Sequence, residues 1–120
     1  MRKSLVLLAG LILVSAGSLR AQDVIATNPK TTKVTLDNEH VRVFEATLPP
    51  GWKENPHSHP TSIIYVMTGG TVRSHLPDGT AKESTFAAGQ TVYREPLTHW
   101  SENIGPTTIR LLVVEMKPQK

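Results

Sequence analysis

Short runs rich in β-branched residues recur along the chain: KVTLD, HVRVFEATL, SIIYVM, TVRSHL, KESTF, QTVYR and TIRLLVVEM. Turn-forming residues divide them at Pro49-Pro50-Gly51, Gly69-Gly70, Pro77-Asp78-Gly79, Ala87-Ala88-Gly89 and Gly105-Pro106. No window carries a sustained helical apolar period, so the pattern predicts an all-β sandwich or barrel. The clearest hairpin is Leu76-Pro77-Asp78-Gly79-Thr80, where Asp-Gly suits the positive φ of a tight turn.

The N-terminal stretch MRKSLVLLAGLILVSAGSLRAQD has a different character. Two cations, Arg2 and Lys3, precede an apolar run from Leu5 to Val14, and small residues lead on to Ala21. That order predicts a secretory signal peptide over residues 1–21, cut after Ala21, with Ala16 as the second choice. The apolar run is about half the roughly 20 residues that a spanning helix requires, so removal is expected rather than anchoring. A secreted or periplasmic protein with no membrane association follows. The chain has no cysteine, which rules out a disulfide staple and a lipid-bearing cysteine at the cut.

Signal removal also alters the charge. Of thirteen lysines and arginines, Arg2, Lys3 and Arg20 depart, leaving ten against ten acidic residues. The basic excess belongs to the discarded segment, and nucleic-acid binding, which needs a basic surface, is not expected. Residues 22–120 suffice for one compact domain. A domain this small is modestly stable, so a homodimer is an expected form. Residues 22–32 (QDVIATNPKTT) have no period and read as an extended N-terminal arm able to pair with a neighbour's sheet edge. Residues 33–117 hold the strand pattern, and residues 118–120 form a frayed tail.

Chemistry concentrates in GWKENPHSHPTSIIYVMTGG, residues 51–70. On a strand, residues two apart face one side about 6.5–7 Å apart, so His57 and His59 can aim both imidazoles at one point. Pro56 and Pro60 stiffen the backbone around them. A second stretch, GQTVYREPLTHWSENIG, brings His99 from a separate strand. Three imidazoles converging inside a barrel make a metal site, whereas two histidines on a loop need be no more than solvated side chains.

The two stretches resemble the cupin family. Its first motif runs Gly, five residues, His-x-His, three or four residues, Glu, six residues, Gly; Gly51, His57, His59 and Gly70 match it. Its second motif ends in His, three residues, Asn, which His99 and Asn103 match, with Gly89 near the place of its leading glycine. The resemblance covers residues 39–116. It implies a double-stranded β-helix, or jelly-roll, barrel of two antiparallel sheets over residues 33–117, with His57, His59 and His99 holding a divalent transition metal.

The departures from the motifs bear on function. The family's glutamate ligand falls at Ser62 or Ile63, neither a carboxylate, and its second-motif Pro and Gly positions hold Arg94 and Pro96. A site of three histidines carries no ligand charge and leaves positions open to water, dioxygen or a chelating anion. The ion is one of Fe, Mn, Zn, Ni or Cu, because imidazole suits them all and supply decides.

The remaining candidates are secondary. Glu54 and Glu95 flank the histidines and would replace the carboxylate or act as a base, though a rim position is the expectation for both. Arg42 and Arg94 offer forks for a substrate carboxylate, with surface salt bridges as the favoured reading. Trp52 is placed at the pocket mouth, Trp100 facing away from the metal, and Tyr65 and Tyr93 on the barrel wall with hydroxyls to lend. His75 is expected in solvent, His40 at the periphery, and Asn103 tying a backbone turn.

Two functions are compatible with these residues. One is an exported metalloenzyme acting on a small oxygen-rich substrate, whether as a dioxygenase or by Lewis-acid isomerisation or hydrolysis. The other is a non-enzymatic module that binds or senses a metal or small ligand. Fold alone does not choose between them.

Overall fold

The computed structural model describes residues 22–120; the expected signal peptide, residues 1–21, lies outside the described residues. One helical turn, α1 (Val24–Thr27), precedes nine strands: β1 (Thr32–Asp37), β2 (Val41–Leu48), β3 (His57–His59), β4 (Ser62–Thr68), β5 (Gly70–His75), β6 (Ala81–Phe86), β7 (Thr91–Arg94), β8 (Leu97–Asn103) and β9 (Ile109–Met116). They form two antiparallel sheets, ordered β1-β2-β9-β4-β7 and β3-β8-β5-β6. The all-β class expected from the strand pattern and the barrel of two antiparallel sheets implied by the resemblance are the architecture observed.

Period-two alternation sets which side chains enter the barrel. Phe44, Ala46 and Leu48 of β2, Ile64 and Val66 of β4, and Ile109, Leu111 and Val113 of β9 are buried and make the core. Strand register lines up Phe44, Val113, Ile64 and Val92 as an apolar row across four strands. Two residues along, the inward row reads Arg42, Glu115, Ser62 and Arg94. One end of the five-stranded sheet is therefore apolar and the other ionic. Between those rows, Leu36, Val43, Val114, Ile63 and Tyr93 face outward.

Two turns need glycine for different reasons. In the β5–β6 hairpin Gly79 adopts φ +86°, while Asp78 keeps a negative φ and accepts the Thr80 N–H through Oδ1 at 2.9 Å. Between β4 and β5, a Cβ on Gly69 would lie 2.2 Å from the Phe86 carbonyl oxygen, so only glycine lets the two backbones approach.

Residues 22–32 do not form an extended arm. They fold back on their own barrel: Val24 is 2% exposed within the core, Asn28 and Thr31 are buried, and Asp23 bridges to Ser58. The Thr27 and Asn28 N–H groups close a single turn onto Asp23 and Val24, each at 2.9 Å. Burying Val24 against the apolar interior outweighs the pull of a free end into solvent. One helical turn is too short to produce a period.

Candidate metal centre

The alternation that buries the core also turns His57 and His59 inward from β3, and β8 supplies His99 directly across from His57. All three are buried, at 1%, 7% and 7% exposure. Their ring centroids lie 4.6, 4.8 and 5.3 Å apart, and one nitrogen of each lies within 4.8 Å of the others. The three expected ligands are thus brought together, on adjacent strands of one sheet.

Each ring is oriented by its Nδ1. His57 Nδ1–H donates to the Asn55 carbonyl at 2.7 Å and His59 Nδ1–H to the Glu115 carboxylate at 3.3 Å, while His99 Nδ1 is hydrogen-bonded with the Ser74 hydroxyl at 2.7 Å. Asn28 braces the first contact, accepting the Asn55 N–H at 2.8 Å and donating to its carbonyl at 3.2 Å. Protonation at Nδ1 leaves Nε2 as a lone pair. Burial keeps the rings neutral, pushing His59 and His99 down to about 2 and lowering His57, with Arg94 opposing protonation at all three. The His59–Glu115 contact is therefore a neutral imidazole on a carboxylate, not an ion pair.

The Nε2 atoms of His57 and His99 are buried without a hydrogen-bond partner. A buried polar atom left so costs about 1–3 kcal/mol, which a coordinated cation would recover. Three neutral, pre-oriented imidazoles fit a divalent transition metal, and a carboxylate behind His59 is the kind of support that such ligands use.

The missing carboxylate divides into two findings. Ser62 occupies the inward position on β4, with 0% exposure, while Ile63 faces outward, so no acid from this strand reaches the histidines. The nearest buried acid is Glu115 of β9, which sequence reasoning did not single out. Its signal was present: in TIRLLVVEM it shares parity with Ile109, Leu111 and Val113. Glu115 acts behind His59 and is held by Arg42, whose Nε donates to it at 2.8 Å and which also pairs with Asp23. Arg42 is therefore a partly buried structural cation, 20% exposed at its side chain, rather than a surface salt bridge.

Glu54 and Arg94 also depart from expectation. Glu54 is not at the rim; its Oε1 accepts the Ser101 N–H at 3.1 Å, and burial pushes its carboxyl up to about 7. Arg94 is not on the surface; its Nε donates to Ser62 Oγ at 3.2 Å and burial lowers its pKa. Both line a cavity of about 400 Å³ that the three histidines share. Glu95 is exposed, as a rim residue would be.

Other side chains complete the surroundings. Trp52 packs against the core instead of standing at a pocket mouth. Trp100 faces away from the histidines and stacks on His75, ring centroids 3.8 Å apart, so His75 is half-buried rather than solvated. Tyr65 and Tyr93 are 46% and 63% exposed, at outward positions of β4 and β7. His40 is peripheral. Asn103 donates to the Leu48 and Thr107 carbonyls at 2.8 and 2.7 Å, tying the turn after β8.

Comparison with solved structures bears on the fold. A cupin domain from Bordetella pertussis Tohama I matches with a TM-score of 0.67 at 29% identity, over 72% of this chain and 92% of that one. A cupin with a double-stranded β-helix fold from Methanocaldococcus jannaschii matches at TM-score 0.55 and 22% identity, over 72% and 81%. A predicted oxalate decarboxylase from Thermotoga maritima matches at TM-score 0.54 and 23% identity, over 72% and 79%. No family model and no curated protein matches the sequence.

Proposed function

We propose that this chain, a small protein of the cupin superfamily with the double-stranded β-helix fold, is an exported metalloprotein. In this reading His57, His59 and His99 hold one divalent transition metal and present it to a small molecule in the barrel cavity. The reading rests on one observation: three Nδ1-anchored imidazoles converge on a cavity, and two of their Nε2 atoms are buried without partners. A structural zinc site closes with four protein ligands; three leave room for a substrate.

The bound ion would supply Lewis acidity and, if redox-active, electron transfer. The protein's own contribution is positioning and proton handling. Asn55 and Glu115 keep His57 and His59 protonated at Nδ1, and Ser74 orients His99. Phe44, Ile64, Val92 and Val113 line the cavity with apolar surface. Glu54, with a carboxyl near 7, can hold or release a proton at neutral pH, which is what a general acid or base requires. The signal-like pattern of residues 1–21 supports export, and the mass of the mature N-terminus tests it.

Elemental analysis of the protein purified from its own compartment tests the metal reading. One equivalent is expected in the wild type and less than about a tenth in a folded His57→Ala, His99→Ala double variant, since losing two of three ligands removes most of the affinity. Equal metal content in both sinks it. Dioxygen uptake or substrate turnover that needs the metal identifies an enzyme; ligand binding without turnover identifies a binding module.

A further inference from the structure

The inward ionic row carries two arginines in opposite circumstances. Arg42 is met by the carboxylates of Asp23 and Glu115. Arg94, two strands away from Glu115 on the same row, forms no ion pair among the described residues. Its Nε is taken by Ser62, and its Nη2 is buried without any hydrogen-bond partner. A guanidinium is always charged, so Arg94, which lines the cavity with no carboxylate within ion-pair distance and with Nη2 unpartnered, awaits an anion.

The charge balance of the cavity agrees. The three imidazoles are neutral, and Glu115 is engaged by Arg42 and His59. Against a bound dication, Arg94 and Lys82, Glu54 is the only acid lining the cavity. Glu54 already accepts from the Ser101 backbone and is outside ion-pair distance of Arg94. The inward neighbour of Arg94 on β4 is Ser62, which brings no charge.

We propose that Arg94 is the anion anchor of the cavity, gripping the carboxylate of a small organic acid whose second oxygen group faces the three histidines. This rests on the metal reading above and adds the substrate class to it. A planar carboxylate matches the guanidinium fork with two parallel hydrogen bonds, and Phe44, Ile64 and Val92 offer apolar surface for a short carbon skeleton. A cavity of about 400 Å³ suits a molecule of that size.

Calorimetric titration of the zinc-loaded protein with malonate, its uncharged analogue malonamide and inorganic phosphate tests the anchor. Malonate is expected to bind the wild type ~10–100-fold more tightly than malonamide, the range for charge-assisted hydrogen bonds, and more tightly than phosphate. Arg94→Gln should lose that preference while retaining one equivalent of zinc. Arg94→Lys, which keeps the charge without the fork, should bind malonate about tenfold more weakly than the wild type.

Equal affinity of the wild type for malonate and malonamide overturns the proposal without recourse to any variant. Unchanged malonate affinity in zinc-loaded Arg94→Gln overturns it equally, and tighter binding of phosphate overturns the carboxylate class. The two readings fail separately. Zinc retained with no malonate preference refutes the anchor alone, whereas Arg94-dependent malonate binding to a protein that takes up no metal refutes the metal centre alone.

Discussion

Each buried histidine divides its two nitrogens between the protein and the cavity, and the residue on the protein side decides how good a ligand the other nitrogen is. Glu115→Gln tests this at His59. Loss of the carboxylate should weaken metal binding about 10–100-fold, read by competition with a chromophoric chelator, because supporting partners commonly contribute that much. Glu54 gives a pH prediction. Its carboxyl is raised from 4.5 to about 7, so the folded state binds the proton more tightly than the unfolded state does. The resulting stability is fully present below pH 4.5 and lost as pH rises through 7. In urea unfolding of the metal-free protein, Glu54→Gln should match the wild type's pH dependence least above pH 7, gaining roughly 1–3 kcal/mol at pH 8 relative to its difference at pH 4.5. A pH-independent difference would show that Glu54 does not titrate in this way.

Elements position these residues. The strand β3 is only three residues long, so its histidines depend on what lies on either side. On one side β8 supplies His99; on the other the N-terminal segment places Asn28 against the Asn55 backbone. Val24 pins that segment into the core. Val24→Ala should lower the unfolding free energy by roughly 1–3 kcal/mol, as expected for a buried aliphatic truncation. Metal stoichiometry should stay at that of the wild type, because no ligand moves out of its strand. The strands themselves were legible in the sequence, since β-branched runs and Gly or Pro dividers are local signals. Their faces were less so. In SIIYVM both Ile63, which faces out, and Ile64, which faces in, are apolar, and composition cannot tell them apart. The turn α1 was illegible because one helical turn has no period.

At the scale of the whole molecule, the centre is built on one sheet and walled by the other. A cation bound to the folded state alone must stabilise the barrel by mass action, by about 2.7 kcal/mol at a free concentration 100 times its Kd. For a domain of this size that raises Tm by about 10–20 °C. Calorimetry should show the shift with zinc in the wild type and its absence in the His57→Ala, His99→Ala variant; an equal shift in both would place the ion elsewhere. The candidate ligands were readable because His57 and His59 share a strand face and because His99 and Asn103 keep a motif's spacing. The burial of Glu115, Arg42 and Arg94 was not, because it depends on the register of four strands drawn from distant parts of the chain. Alternation along a strand is a local property of the backbone, so the sequence by itself determined the all-β class and the pairing of two histidines on one face. Which charges meet across strands is a non-local property. Only the tertiary structure decided that one arginine is neutralised beneath the histidines while the other stands unpaired among them.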